Sequence, residues 1–129
     1  MPLIIDGWNF IRCDASDIKD EEALDAARTL IAYLQRFQRT HSDPIVLVFD
    51  SSYEFLDISY KNTPKLSVIP TADADRYIKQ YVDKMPERQR PNLRVVSSDR
   101  SVYFYSRDSR ATPMKCEEFW EKLYNDAGS

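Results

Sequence analysis

The sequence predicts an α/β fold, a three-layer α/β/α sandwich built on a mainly parallel sheet. Two observations support this prediction. Short apolar runs alternate along the chain with longer segments of helical periodicity, which is the pattern of strand–helix–strand units. Two of the apolar runs also end directly in a carboxylate, and a third ends in one after two serines. Acidic residues therefore recur at the carboxyl ends of the predicted strands, where open parallel sheets bind their ligands.

Length and composition indicate one domain, and we expect it to span residues 1–129. The chain has 129 residues, of which 43% are hydrophobic and 30% charged. No basic segment precedes a long apolar run, and no run approaches the ~18 apolar residues of a membrane span. These features predict a cytoplasmic protein that does not contact a membrane. Cys13 and Cys116 have no histidine at a metal-ligand spacing, so we expect reduced structural thiols.

The charge is small overall and unevenly distributed. A net charge of −3 argues against a protein that holds nucleic acid by bulk charge alone. The chain is acidic as far as Asp25, whereas its later part is basic. The basic residues there include Arg76, Lys79, Lys84, Arg88, Arg90, Arg94, Arg100, Arg107, Arg110 and Lys115. This asymmetry is typical either of a surface that faces a polyanion or of an ordinary solvated surface.

The first predicted strand is the apolar run Leu3-Ile4-Ile5, which ends in Asp6-Gly7-Trp8-Asn9. A buried strand in this position brings Asp6 to the carboxyl end of the sheet. The alternative is a simple Asp-Gly turn in which Asp6 bonds only the local backbone. A polar loop is expected over Arg12–Lys19, followed by a helix over Glu21–Arg39 with acids in its first turn and arginines in its last.

The second apolar run, Ile45–Asp50, ends in a carboxylate in the same way. The only histidine, His41, precedes it in a loop, which excludes a site with two histidine ligands. Ser51–Pro64 has no clear periodicity, and Lys65–Pro70 is a short possible strand. The aromatic residues Tyr53, Phe55 and Tyr60 either pack on the sheet edge or stack on bases.

A helix is predicted from about Ala72 to the residue before Pro86. Asp73 and Asp75 both fall in its first turn, where a carboxylate can accept bonds from free N–H groups and suits the helix dipole. One capping residue is sufficient. We therefore expect the second carboxylate to point elsewhere.

The third apolar run, Leu93–Asp99, ends in small hydroxyl residues and an acid. Ser98 or Asp99 can alternatively be the N-cap of a following helix. Val102–Tyr105 has strand propensity, but a crossover helix is needed there if the sheet is to stay parallel. The chain is completed by a short strand at Thr112–Met114 and a helix at Glu117–Tyr124.

Four carboxylates, Asp6, Asp50, Asp75 and Asp99, thus lie at strand ends or helix starts. Right-handed crossovers bring these ends to one edge of a parallel sheet. Acids that converge without buried cations repel one another strongly, and a divalent cation removes that conflict. Oxygen ligands favour Mg²⁺ or Mn²⁺ over zinc. Such sites act on phosphate esters: the metal orients the substrate, generates hydroxide and stabilises the leaving oxygen.

Four motifs, in order, resemble those of NYN domains and match best the YacP-like branch of the PIN-like nuclease superfamily. Ile4-Ile5-Asp6-Gly7-Trp8-Asn9 is similar to the opening "hDGYN", with Trp8 in place of tyrosine. Val48-Phe49-Asp50 is similar to the second acidic strand, Ala74-Asp75-Arg76-Tyr77-Ile78 to "ADxxI", and Val95-Val96-Ser97-Ser98-Asp99-Arg100 to "VVTSDR". The resemblance runs from Leu3 to about Leu123.

The resemblance implies a PIN-like sandwich and a metal-dependent endoribonuclease. We expect it to cleave single-stranded RNA by in-line attack of metal-activated water, leaving 5′-phosphate and 3′-hydroxyl ends. Transferred motif by motif, Asp6, Asp75 and Asp99 bind Mg²⁺ or Mn²⁺, and Asp50 binds it directly or through water.

The same transfer gives the expected supporting residues. Asn9 belongs with the catalytic residues as a polar support, together with Ser98, whereas Asp73 supports the metal ligands from a distance. We place the cations Arg76, Arg100 and Arg107 near the phosphates next to the scissile one.

Two departures from the family pattern affect this expectation. Pro70-Thr71 replaces acidic residues common before the third-motif helix, which weakens a second metal site. The chain also ends soon after its last helix, without a basic extension, so docking to RNA, including ribosome-associated mRNA, is expected to differ.

Three alternatives remain at this point. One is a catalytically weak or inactive PIN-like module that binds RNA or a ribosome through its basic half. The second is a phosphoryl-accepting receiver domain with Lys115 after its last strand, although Gly7 stands where an acidic pair is needed. The third is haloacid-dehalogenase chemistry, which requires an aspartate where this chain has Trp8. The oligomeric state is not predicted.

Overall fold

The computed structural model describes residues 2–14, 20–50, 63 and 65–127. In chain order the elements are β1 (Leu3–Asp6), α1 (Gly7–Asp14), α2 (Asp20–Phe37), β2 (Ile45–Asp50), β3 (Leu66–Thr71), α3 (Ala74–Lys84), a 3-10 helix (Glu87–Asn92), β4 (Arg94–Val96), α4 (Arg100–Asp108), β5 (Thr112–Met114) and α5 (Cys116–Ala127). The aromatic residues Tyr53, Phe55 and Tyr60 lie outside the described residues. Among the helices that are described, none is long and apolar enough to cross a membrane.

The five strands form one parallel sheet in the order β3-β2-β1-β4-β5. The chain winds outward from β1 to β3 and then returns to place β4 on the other side of β1. The reversal lies between β1 and β4. The carboxyl ends of these two strands therefore form a switch point, where α/β sheets bind ligands. In a receiver domain the order is 2-1-3-4-5, so the observed order excludes that alternative.

The sheet is covered on both faces, as predicted for an α/β/α sandwich. Because successive strand residues point to opposite faces, Leu3 and Ile5 face α1, α2 and α5, whereas Ile4 faces α3 and α4. Phe10, Leu34 and Phe119 pack in the first layer, and Ile78, Val82 and Val102 in the second. The side chains of both layers are nearly inaccessible to solvent. They hold the strand ends in fixed positions.

The predicted loop over Arg12–Lys19 is wrong over its first three residues. Helix α1 begins at Gly7, directly after β1, and continues to Asp14; residues 15–19 lie outside the described part of the chain. Glycine, tryptophan and asparagine have modest helix propensity, so the local sequence does not indicate this helix. Tertiary packing stabilises it instead: the Phe10 ring stacks on Trp120 with centroids 4.3 Å apart.

The other predicted elements can be compared directly. Val102–Tyr105 lies within α4, the crossover helix that the parallel sheet requires, so its strand propensity is overridden. The strand at Thr112–Met114 is confirmed as β5. The possible strand at Lys65–Pro70 is confirmed as β3, shifted by one residue to Leu66–Thr71.

Candidate functional site

Asp6 is the last residue of β1 and is partly buried at the carboxyl end of that strand, beside β4. Desolvation by burial raises the pKa of its carboxyl group from 3.8 to about 6. A hydrogen bond from the backbone N–H of Asn9 opposes this rise, and the negative charges of Asp99, Asp75 and Asp50 add to it. The four predicted carboxylates are therefore close enough to interact electrostatically around Asp6.

Gly7 permits a close approach between α1 and β2. A Cβ atom at this position would lie 2.5 Å from Cε1 of Phe49 and 2.9 Å from the carbonyl oxygen of Val48. The next residue, Trp8, donates from Nε1 to the carbonyl oxygen of Asp50 at 2.9 Å. These contacts fix the end of β2, and with it Asp50, beside the end of β1.

The two acids at the start of α3 have different roles. Asp73 is the N-cap, and its Oδ1 accepts the backbone N–H of Arg76 at 3.1 Å. Asp75 points away from the cap, and its Oδ2 accepts from Nζ of Lys79 at 3.3 Å. The other oxygen, Oδ1, is buried and has no hydrogen-bond partner among the described residues. A buried unpaired carboxylate oxygen is unfavourable, and a cation would satisfy it.

Lys79 was not identified from the sequence as part of this region. Its Nζ donates to Oγ of Ser101 at 2.7 Å as well as to Asp75, and it therefore connects α3 to the first turn of α4. The (i, i+4) spacing from Asp75 is a weak signal, because such pairs are common on exposed helix surfaces.

Asn9 connects α1 to the segment that follows β4. Its Oδ1 accepts from the backbone N–H of Ser98 at 2.7 Å, from Sγ of Cys116 at 3.1 Å and from Oγ of Ser97 at 3.4 Å. Burial raises the pKa of the Cys116 thiol to about 11, so this thiol stays protonated and can donate. The amide of Asn9 thus positions the Ser97–Asp99 segment.

Asp99 is the N-cap of α4, which was one of the two interpretations of the sequence. Its Oδ1 accepts the backbone N–H of Val102 at 3.1 Å, and its own N–H donates to Oγ of Ser97 at 3.1 Å. Capping uses one carboxylate oxygen of two. It is therefore compatible with an interaction between Asp99 and a cation.

Glu117, in the first turn of α5, was identified from the sequence only as a helix residue. Its Oε1 accepts from Sγ of Cys13 at 3.2 Å and its Oε2 from Oγ of Ser98 at 3.4 Å. A hydrogen bond from its own backbone N–H, together with the one from Cys13, lowers the pKa of this carboxyl group. An acid in a first turn is common in any helix, so the sequence carried no distinctive signal.

The predicted RNA-binding cations occupy two different regions. Arg76 and Arg100 are exposed in the first turns of α3 and α4, next to the carboxylates. Arg107 lies two helical turns from Arg100, about 10 Å along α4. Its guanidinium covers the Phe104 ring at 4.7 Å and pairs with Asp108 at 3.2 Å.

The donor groups suit a hard divalent cation, although they are not arranged around one. Carboxylate oxygens are the preferred ligands of Mg²⁺ and Mn²⁺. The unpartnered Oδ1 of Asp75 and the raised pKa of Asp6, which burial and the neighbouring acids cause, both mark carboxylates that a cation would stabilise. Within the described part of the chain, no three acidic, histidine or cysteine side chains are placed to hold one ion. An ion held by one or two of these carboxylates and by water is compatible with this arrangement, because Mg²⁺ usually keeps several water ligands.

Comparison with known proteins agrees with the observed fold and with the resemblance of the four motifs. A family model described as the YacP-like NYN domain matches residues 3–127. The chain resembles the crystal structure of Rae1 (YacP) from Bacillus subtilis with a TM-score of 0.75 and 18% identity, over 98% of this chain and 75% of that one. A point variant of Rae1 gives a TM-score of 0.77 and 19% identity, over 98% and 76%. Identities this low show the shared fold alone. No curated protein sequence matches the chain significantly.

Proposed function

This chain belongs to the YacP-like NYN domain family, a PIN-like nuclease family, and from this we propose that it is a metal-dependent endoribonuclease that hydrolyses single-stranded RNA. The family match confirms the resemblance predicted from the four motifs. The observation that carries the proposal is the group formed by Asp6 and three neighbouring aspartates, all at strand ends or helix starts, in which one buried oxygen of Asp75 has no partner among the described residues.

In this proposal Asp6, Asp75 and Asp99 hold Mg²⁺ or Mn²⁺, and Asp50 binds the ion directly or through water. When bound, such an ion activates water for in-line attack and stabilises the leaving oxygen, giving 5′-phosphate and 3′-hydroxyl ends. Asn9 and Ser98 support the segment that carries Asp99. Asp73 supports Asp75 indirectly, because it fixes the start of α3.

The remaining polar groups orient the carboxylates and the RNA. Lys79 holds one oxygen of Asp75, which leaves Oδ1 for the cation. Arg76 and Arg100 bind the phosphates next to the scissile one, and Arg107 binds a phosphate farther along the RNA strand. The thiols Cys13 and Cys116 are both free, in keeping with a protein of the reducing cytoplasm.

A second candidate is a catalytically weak or inactive module that binds RNA or a ribosome. One observation favours it: the described side chains include no group of three that is already placed to hold an ion. The cations at the starts of α3 and α4 would retain RNA even if the metal were not held.

A cleavage assay with purified protein separates the two candidates. We expect mixed single-stranded RNA to be cut in Mn²⁺ but not in EDTA, and Asp6→Asn to abolish cutting. Cleavage that persists in EDTA, or in Asp6→Asn, would contradict the metal-dependent nuclease. Retained RNA binding without any cleavage would support the binding module.

A further inference from the structure

A cleft of about 570 Å³ lies along α4, next to the segment that carries Asp99. Its lining residues are Ser98, Arg100, Tyr103, Phe104, Lys115 and Glu117. Ser98 and Arg100 flank Asp99 in the sequence, and the backbone N–H of Ser98 is bonded to Asn9. The cleft is therefore bounded at one end by the two neighbours of Asp99 in the chain, and it extends along one side of α4.

The cleft contains an exposed aromatic ring. Phe104 is 39% exposed, and Tyr124 on α5 is the other large hydrophobic residue that is exposed among those described. The ring of Tyr103 meets Phe104 edge-on, with centroids 5.6 Å apart and planes at 90°. Arg107 contacts the Phe104 ring at 4.7 Å but does not line the cleft. The orientation of Phe104 is thus fixed by its neighbours, while part of the ring remains open to the cleft.

The cleft also carries two cations that form no close ion pair. Arg100 and Lys115 are both exposed, and neither forms an ion pair with any side chain in the described ranges. The one carboxylate in the cleft, Glu117, is directed to the hydroxyl of Ser98 and the thiol of Cys13. Its charge disfavours a phosphate on that side. A phosphate is therefore favoured near Arg100 and Lys115.

A partly exposed aromatic ring next to two cations suits a nucleotide of a single strand. Bases stack on aromatic side chains, and each stacked base contributes about 1–3 kcal/mol by alanine substitution. A double strand cannot use the ring, because its bases are already stacked and paired. Lysine and arginine supply the attraction for the sugar–phosphate backbone.

We propose that this cleft binds one nucleotide of single-stranded RNA next to the scissile phosphate, with its base stacked on Phe104 and its phosphate bound by Arg100 and Lys115. The inference rests on the proposed function, because it names a subsite on the same RNA path. It adds a base-binding position that the metal-binding residues do not supply.

The test is an equilibrium binding measurement on the full chain in EDTA, which prevents metal-dependent cleavage. The probe is a fluorescein-labelled single-stranded RNA of about ten nucleotides, followed by anisotropy. Phe104→Ala should weaken binding roughly tenfold, because one stacking interaction is lost. Phe104→Trp should keep the affinity, and Tyr124→Ala, the matched change at the other exposed aromatic residue, should leave it unchanged.

A second measurement localises the effect on the RNA. Oligonucleotides that lack one base at successive positions are bound to the wild type and to Phe104→Ala. At one position the loss of the base should weaken wild-type binding but not weaken Phe104→Ala further. Additive losses at every position would contradict stacking. If Phe104→Ala fails to fold by circular dichroism, Arg100→Gln replaces it and should weaken binding several-fold.

The outcomes distinguish this inference from the proposed function. If the wild type cleaves RNA in Mn²⁺ but Phe104→Ala binds and cleaves normally, the subsite is wrong and the nuclease stands. If RNA binding depends on Phe104 but the wild type never cleaves, the subsite stands and the nuclease is wrong. A wild type that neither binds nor cleaves single-stranded RNA would contradict both.

Discussion

Asp73 and Asp75 lie two residues apart in the first turn of α3, yet only Asp73 caps the helix. The carboxylate of Asp73 accepts the N–H of Arg76 at 3.1 Å. Asp75 instead contacts Lys79 at 3.3 Å and keeps its Oδ1 buried without a hydrogen-bond partner among the described residues. The acid that is not needed for the helix therefore remains for the group of carboxylates around Asp6.

Asp6→Asn should stabilise the metal-free protein above about pH 6. The folded-state pKa, about 6, is higher than the ordinary value of 3.8. The tightly bound proton therefore favours folding below about pH 4, and this contribution is lost as the pH rises through about 6. Near pH 8 the ionised group costs up to about 3 kcal/mol, which asparagine avoids.

Thermal unfolding in EDTA checks this prediction. Asp6→Asn should melt above the wild type near pH 8, with a much smaller difference near pH 4. The exposed change Asp108→Asn is the control and should have little effect at either pH. A lower melting temperature for Asp6→Asn at the higher pH would show that the charge of Asp6 is already compensated.

Stabilisation by Mn²⁺ should weaken as the pH falls below about 6. A proton on Asp6 competes with the metal, so the apparent affinity should fall about tenfold for each pH unit below the pKa. The measurement is the dependence of the melting temperature on Mn²⁺ concentration at several pH values. An apparent affinity that does not change between about pH 5 and pH 7.5 would argue against Asp6 as a ligand.

Gly7→Ala should destabilise the fold, although alanine is the better helix former by about 1 kcal/mol. The new Cβ would meet Phe49 at 2.5 Å and the carbonyl oxygen of Val48 at 2.9 Å. We expect a net loss of about 1–3 kcal/mol in the free energy of unfolding by urea.

A second variant tests the cause of this loss. In the Phe49→Leu background, Gly7→Ala should cost less stability than it does in the wild type. It should still destabilise the fold, because the backbone of Val48 cannot move aside. Full recovery would show that the side chain alone causes the clash, and a stabilising Gly7→Ala would show that no clash exists.

Asn9→Ala should lower stability by about 1–3 kcal/mol, because the buried hydroxyl of Ser97 and the buried thiol of Cys116 lose their shared acceptor. Displacement of the Ser97–Asp99 segment should also lower the rate of RNA cleavage. The control is Asn92→Ala, at an exposed asparagine far from the carboxylates. Equal cleavage rates for Asn9→Ala and the wild type would show that the amide does not position Asp99.

The sequence predicts the elements that have a clear local pattern of residues. Three apolar runs that end in acids place β1, β2 and β4, and the sheet edge follows from the handedness of the crossovers. That only one of Asp73 and Asp75 caps the helix also follows, because one capping carboxylate is enough for one helix start, whereas the choice of Asp75 as the other acid came from the family motif.

The features that sequence reasoning missed depend on contacts between distant residues. Helix α1 is stabilised by Trp120, which lies more than a hundred positions away from Phe10. Glu117 joins the site through Ser98, 19 residues away, and Lys79 through Ser101, 22 residues away. Neither residue belongs to a motif, and both have types that are ordinary on helix surfaces. Only the packed structure reveals them.

The most direct test of the metal-dependent nuclease compares Asp75→Asn with Asp73→Asn in the Mn²⁺ cleavage assay. Asparagine caps a helix as well as aspartate does, so Asp73→Asn should fold normally and retain most of the cleavage rate. Asp75→Asn removes a proposed metal ligand and should lower the rate by at least about 100-fold, while circular dichroism shows the same fold. Equal rates for the two variants would contradict the assignment of Asp75 and, with it, the proposed metal site.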